Sequence, residues 1–264
     1  MSVVRPKKHL GQHFLKHENI ASRIADTIDG YPDLPVIEVG PGTGMLTQFL
    51  IAKERDLKVV EIDLESIDYL NVHFPELGGR IIEQNFLTLN FEEHFDGPIC
   101  IIGNYPYNIS SQIFFKVVDN RDLVPCCTGM IQKEVAERMA ASPGTKAYGI
   151  LSVLLQAWYD IEYLFTVNEG AFNPPPKVKS AVVRLTRNDR QELNCNESLF
   201  KSVVKSCFNQ RRKMIRNSVR ALIPKGVELP ENPLLTQRPE QLSIAQFEEL
   251  TNYVEEIQNS INKE

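Results

Sequence analysis

The sequence predicts an α/β fold, a mostly parallel sheet with helices on both faces, followed by a small all-helical domain. Three observations predict it. Short apolar runs alternate with helical patterns over residues 35–186, an order that sets parallel strands between covering helices. A polar, unpatterned stretch at 187–198 then interrupts the alternation and reads as a linker. Beyond it, apolar residues recur only at helical spacing. The domain boundaries follow as 1–187 and 188–264.

Pro35–Gly40, Lys58–Asp63, Arg80–Phe86, Pro98–Gly103 and Thr128–Gln132 are short apolar runs and read as buried strands. Between them, Met45–Lys53 and Leu64–Phe74 have helical spacing. Tyr159–Thr166 and Ser180–Thr186 read as two strands joined through the proline-rich Asn173–Lys177, an antiparallel hairpin at one sheet edge. In the second domain, Phe200, Val203, Val204, Cys207 and Phe208 share one helix face, and Ile215, Val219 and Leu222 a second. Leu242, Ile244, Phe247, Leu250, Val254 and Ile257 mark the last helix, with Ser243 or a neighbour as its cap.

Composition excludes several classes. The chain has 264 residues, 42% hydrophobic and 24% charged, which is ordinary globular usage. No run of about 18 apolar residues occurs, so no transmembrane helix is expected. No apolar segment follows Arg5, Lys7 and Lys8, so no secretory signal is expected. The five cysteines lack C-x-x-C spacing, which points to a reducing cytoplasm and not to disulfides or zinc. His9, His13 and His17 are spaced by four, but no acid or cysteine nearby completes a metal site. Cys126 and Cys127 read as apolar filler, Trp158 and Phe165 as packing residues, and Glu248, Glu249, Glu255 and Glu256 as a solvated helix face.

The net charge of −5 conceals an asymmetry. Residues 1–17 carry four cations and no acid, and residues 198–227 carry eight and no acid. Those 12 of the 29 cations leave 17 elsewhere, against 34 carboxylates. An acidic body with two basic segments suits a polyanion; two solvated helix faces would give the same count.

Two motifs carry chemistry. Gly40-Pro41-Gly42-Thr43-Gly44 follows the first strand, where glycines let the backbone bend and approach a ligand closely. Glu61 lies 19 residues past Gly42, at the end of the next strand, where a carboxylate can accept from both ribose hydroxyls. The choice is then between a nicotinamide dinucleotide and S-adenosylmethionine. The segment Glu38–Gly44, E-x-G-x-G-x-G without the G-x-x-G phosphate grip, favours the methyl donor. The second motif is Asn104-Tyr105-Pro106-Tyr107, or N-x-P-Y, at the end of the Pro98–Gly103 strand. The exocyclic amine of adenine is a poor nucleophile because its lone pair is delocalised into the ring. Two acceptors, the Asn104 side-chain oxygen and the Tyr105 backbone carbonyl, would favour a pyramidal nitrogen. Pro106 would fix the turn and Tyr107 would stack on the base.

On these residues the chain resembles the bacterial small-subunit ribosomal RNA adenine dimethyltransferases, over nearly its whole length. Lys8–Leu15 is similar to K-x-x-G-Q-[NH]-F-L, Phe172–Ser180 to F-x-P-x-P-K-V-x-S, and Phe208–Lys213 to F-x-Q-R-R-K. Glu38–Gly44, Glu61–Asp63 and Asn104–Ser110 complete the set in the family's order. The resemblance implies a Rossmann-like S-adenosylmethionine-dependent methyltransferase fold with a seven-stranded sheet, and a C-terminal helical RNA-binding domain. It implies transfer of methyl groups from S-adenosylmethionine to N6 of two adjacent adenosines in the 3′-terminal hairpin loop of 16S ribosomal RNA. The implied products are dimethyladenosines and S-adenosylhomocysteine, and the implied setting is ribosome biogenesis on an immature 30S particle; a cytoplasmic protein, and a monomer, is expected. The resemblance assigns Asn104, Tyr105, Pro106, Tyr107 and Phe172 to the target adenine, with Phe172 stacking on its other face. It assigns His13, Leu15, Gly40, Gly42, Glu61, Asn85 and Asn104 to the donor. It gives Lys7, Lys8, Lys177, Lys205, Arg211, Arg212, Lys213 and Arg216 to RNA phosphates. Two positions depart from the family: Asn85 stands where Asp is usual, and Tyr105 where Leu is usual. Relatives that modify large-subunit RNA and confer macrolide resistance share the N-x-P-[FY] site, and a non-catalytic ribosome-assembly factor would keep the fold; both are competing readings.

Overall fold

The computed structural model describes residues 4–261. The strands are β1 (Phe14–Leu15), β2 (Val36–Val39), β3 (Leu57–Glu61), β4 (Ile81–Glu83), β5 (Cys100–Asn104), β6 (Cys126–Gln132), β7 (Tyr159–Val167), β8 (Phe172–Asn173) and β9 (Ser180–Arg187). The helices are α1 (Glu18–Ala25), α2 (Thr47–Ala52), α3 (Leu64–His73), α4 (Ser110–Asp119), α5 (Lys133–Met139), α6 (Ile150–Gln156), α7 (Glu197–Asn209), α8 (Ile215–Val219) and α9 (Ile244–Ile261). Seven strands form one sheet in the order β4-β3-β2-β5-β6-β9-β7. The pairs from β4 through β6 are parallel, and β9 runs antiparallel to β6. Every residue of β2 is buried, as are Cys100–Gly103 of β5, so these central strands are covered on both faces. That is why they read as continuous apolar runs instead of alternating ones.

The sequence boundaries shift where local hydrogen bonds compete with the ladder. The run Arg80–Phe86 yields only the three residues of β4. The Asn85 side chain accepts from the Leu87 amide and turns the chain into a 3₁₀ turn at Phe86–Thr88. Conversely, β6 starts at Cys126 and not at Thr128, because Cys126 pairs with both Cys100 and Thr186. Cys126 and Cys127 are buried, as filler would be. β7 and β9 are neighbours at the sheet edge. The proline-rich loop between them adds the two-residue strand β8, which pairs antiparallel with β1: Phe14 lies opposite Asn173, and Leu15 opposite Phe172.

The chain divides into two compact units. One comprises residues 1–136 and 160–187, the other 137–159 and 188–264. The helical unit therefore includes α6 and the loop before it, which the sequence reading assigned to the first domain. Within this unit, Val153 and Leu155 of α6 are fully buried, as are Val203 and Val204 of α7 and Leu250 and Val254 of α9. Phe208 stacks edge-on to Tyr148 and lies 5.8 Å from Phe247. Ser243 accepts from the Gln246 amide and Gln246 answers on the Ser243 amide, a reciprocal cap at the start of α9.

Two sequence expectations for this unit are corrected. Glu248 is not a solvated residue: it is 3% exposed, paired with Arg190 and accepting from the Asn194 amide. Residues 187–198 are not a free linker, since Arg190 and Asn194 bind α9 through Glu248 and Leu193 is buried. A buried carboxylate requires such partners. No helix among the described residues is long and apolar enough to cross a membrane.

Candidate active site

The C-terminal ends of β2, β3 and β5 open into one pocket. It is lined by Gly40 and Gly42 after β2, Glu61 and Ile62 at the end of β3, Asn85 and Leu87, and Asn104–Ile109 after β5. Leu10–Phe14 complete the wall. Ligands of open α/β sheets sit at this end of the strands.

The glycine loop is shaped by close approach. Gly42 has φ +56°, and a Cβ there would stand 2.8 Å from the Phe14 ring. Its amide donates to Glu61 Oε2 at 3.1 Å. Glu61 Oε1 accepts from the amides of Ile62 and Asp63 at 2.8 and 2.9 Å. Three backbone donors fix this carboxylate, yet burial outweighs them and raises its pKa above the usual carboxylate value. Each oxygen has two acceptor sites, so Oε2 keeps one for a ligand hydroxyl. Glu38, on β2, is 1% exposed and accepts from the Thr47 hydroxyl at 2.7 Å. Burial pushes its carboxyl up to about 8, so it is mostly protonated at neutral pH.

At the end of β5, the Asn104 Nδ2 donates to the His13 carbonyl at 3.0 Å. A carbonyl can only accept, so this bond fixes the orientation of the amide. Asn104 Oδ1 makes no hydrogen bond within the described residues and is left as an acceptor. Tyr105 is 1% exposed. Its phenol donates to the Thr128 carbonyl at 2.7 Å, and its amide to the Met130 carbonyl at 3.0 Å. The ring is accommodated by glycines: a Cβ on Gly129 would lie 2.6 Å from it and 2.3 Å from the Gly103 carbonyl. The side chain at 105 thus points into the core while the backbone reaches the pocket. Tyr107 stacks on His13, centroids 5.3 Å apart, and its phenol hydrogen-bonds to the buried Ser180 hydroxyl. His13 is in turn held through Nδ1 to the Pro174 carbonyl at 2.8 Å.

The remaining sequence candidates divide. His13, Gly40, Gly42, Glu61, Asn85, Asn104, Tyr105, Pro106 and Tyr107 all line the pocket. Leu15 and Phe172 do not. Paired across the β1–β8 ribbon, they are 5% and 1% exposed and belong to the hydrophobic core. Phe172, expected from its motif to stack on a base, is buried in the core and is not among the residues that line the pocket. Asn85 lines the pocket through an exposed side chain whose oxygen already caps the Leu87 amide.

The basic residues also divide. Lys7 is not free for phosphate: its ammonium is bound to Asp63 and lies 3.4 Å from Glu65. Lys8 and Lys177 are exposed, and in the helical unit so are Lys205, Arg212, Lys213 and Arg216. Arg211 instead donates to the carbonyls of Thr145 and Lys146 at 3.3 and 2.6 Å. Sequence reasoning gave no role to Gln12, Phe14, Ile62, Asp63 or Ser180. All except Ile62 hold another site element in place. The signal was there, since Gln12, Phe14 and Ser180 are fixed letters of the matched motifs.

The sequence matches the profile of the ribosomal RNA adenine dimethylase family over residues 3–256. It is 63% identical over 257 residues to the ribosomal RNA small subunit methyltransferase A of Bacteroides fragilis, covering 97% of this chain and 94% of that protein. It is 64% identical over 251 residues to the protein of the same description from Parabacteroides distasonis, covering 95% and 94%. Among solved structures, a dimethyladenosine transferase from Plasmodium falciparum superposes with a TM-score of 0.74 at 24% identity, over 94% of this chain and 98% of that one. The 23S rRNA methyltransferase ErmE gives 0.64 at 27% identity, over 92% and 99%.

Proposed function

The chain belongs to the ribosomal RNA adenine dimethylase family, and we propose that it methylates adenine N6 in small-subunit ribosomal RNA with S-adenosylmethionine as donor. The pocket fits that donor. Glu61 has an acceptor left for a ribose hydroxyl, and Gly40 and Gly42 line the same pocket with backbone alone. S-Adenosylmethionine supplies a methyl group on a positively charged sulfur, a good leaving group. Glu61 would hold the ribose, and Asn85 would border the donor's adenine.

The single observation that carries the acceptor side is the fixed Asn104 amide. With Nδ2 committed to the His13 carbonyl, Oδ1 accepts one hydrogen of the target amine, and the Tyr105 carbonyl accepts the other. Both draw the nitrogen toward a pyramidal form with an available lone pair. Tyr107, held by Ser180, supplies the stacking face. The nitrogen then displaces the sulfur, and its proton is acidified once the methyl is on, so positioning does most of the work. RNA loops present unstacked bases that suit such an enclosure.

The finer reading is that the targets are two adjacent adenosines in the 3′-terminal hairpin loop of 16S RNA. They are modified on an immature 30S particle by a cytoplasmic monomer. The exposed cations Lys205, Arg212, Lys213 and Arg216 would hold RNA phosphates. The test is transfer from labelled S-adenosylmethionine to purified small and large subunits from a strain lacking the enzyme, with mass analysis of the nucleosides. Dimethyladenosine in the small subunit alone is expected. Label in the large subunit would move the protein to the 23S type, and intact donor binding without transfer would leave an assembly factor.

A further inference from the structure

We propose that Asp63 is a positioning residue for donor retention, gripping Lys7 and Gln12 so that the N-terminal arm stays closed over the pocket. The inference rests on the reading of this pocket as the donor site. The Asp63 side chain is fully shielded from solvent, and its carboxylate accepts from more donors than a helix cap needs. It caps α3 through the Glu65 amide at 3.2 Å and binds the Ser66 hydroxyl at 3.3 Å. Capping α3 asks for no more than that. Its other two donors come from the arm: Gln12 Nε2 at 3.0 Å and the Lys7 ammonium. Burial alone would raise this carboxyl; Lys7, Gln12 and the Glu65 amide together hold it below its ordinary pKa.

The arm meets Asp63 as a closed unit. The Lys7 amide donates to Gln12 Oε1 at 2.8 Å, tying the ends of the turn that contains the 3₁₀ segment Lys8–Leu10. Beyond Gln12, the His13 carbonyl is held by Asn104. The arm therefore spans the pocket from the donor edge to the acceptor motif. Glu61 and Asp63 sit on one tight turn, since Glu61 Oε1 holds the Asp63 amide. The grip on the arm and the proposed ribose contact thus share a backbone. Every turnover converts donor to product, which has to leave the pocket. Releasing Lys7 and Gln12 from Asp63 opens the donor edge and leaves the His13–Asn104 bond in place.

The experiment measures dissociation of S-adenosylhomocysteine and S-adenosylmethionine from the full chain by stopped flow, without RNA. Lys7→Met leaves the α3 cap untouched; Asp63→Asn keeps a capping side chain but loses the charge. Both variants are expected to release both nucleosides about fivefold faster, the scale of a single ion pair with one partner part-exposed. Trypsin should also cut faster in the arm of the nucleoside-bound variants, and Lys7→Arg should restore slow release. If Asp63→Asn fails to fold, Lys7→Met decides. Unchanged dissociation in a folded Lys7→Met overturns the proposal while leaving the donor site standing. A wild-type protein that binds neither nucleoside overturns both.

Discussion

Around Asn104 the protein's own hydrogen bonds hold nearly every polar group in place, whereas along residues 205–216 four of five cationic side chains are exposed and only Arg211 is tied down. The first region fixes single atoms: one amide orientation, one carbonyl pinned by a buried ring, one phenol on a buried serine. The second supplies charge, with no fixed geometry. A preorganised site spends its interactions on one arrangement, so any single loss is costly. A field of exposed cations adds contacts independently, so any single loss is small and salt-dependent.

The sharpest way to break the contrast is Asn104→Ala. It removes the bond to His13 and, on the proposed mechanism, an acceptor for the target amine. Methyl transfer should fall by about 10²–10³-fold, with subunit binding retained in a pull-down. Near-normal transfer would remove Asn104 from its role. Next in size is Gly129→Ala. The new methyl would meet the Gly103 carbonyl at 2.3 Å and the Tyr105 ring at 2.6 Å, and neither is the end of a flexible chain. A destabilisation of about 1–3 kcal/mol is expected by urea unfolding. Tyr105→Leu should recover part of it, because the smaller side chain yields the space. Additive losses would mean that Tyr105 does not depend on the glycine.

How much of this was legible in the sequence follows the same contrast. The place of the glycine loop, Glu61 and Asn104 in the pocket was readable because it is local: a strand ends, and the next residues face the pocket. Leu15 and Phe172 belong to equally clear motifs, but a motif does not say which way a side chain faces. Their orientation is set by a ribbon of two residues per strand, too short to leave a period in the sequence. Glu248 looked solvated because its partners lie 54 and 58 residues away, in a stretch without pattern. Arg211 and Arg212 are chemically identical neighbours. Only the carbonyls of Thr145 and Lys146, from a segment the sequence reading placed in the other domain, set them apart.

A smaller effect tests whether the rigid region also carries a titration. The Glu38 carboxyl is pushed up by burial to about 8 from 4.5. Between those values the folded protein keeps a proton that the unfolded chain gives up. Stability from this group is therefore full below the unfolded value and falls as pH rises toward the folded one. Glu38→Gln removes the titration and keeps an oxygen for the Thr47 hydroxyl. The variant should melt near the parent at about pH 5 and a few degrees above it at about pH 8.5. A gap independent of pH would mean that Glu38 does not titrate in this range.

The smallest effects belong to the basic stretch, and Arg212 set against Arg211 is the most discriminating pair. Arg212 is exposed, so if it holds RNA as proposed, Arg212→Ala removes one phosphate contact and little else. RNA affinity should fall only several-fold, and the plot of log affinity against log salt should become shallower by about 0.7–0.9, the release of one counterion. Arg211 donates to two backbone carbonyls, so Arg211→Ala should leave that slope nearly unchanged. Its effect should appear as faster hydrogen exchange around Thr145 and Lys146, because their carbonyls lose the guanidinium. Equal salt slopes for the two variants would mean that Arg211 leaves its carbonyls and binds phosphate when RNA arrives. The helical unit would then be remodelled by its substrate, unlike the pocket around Asn104.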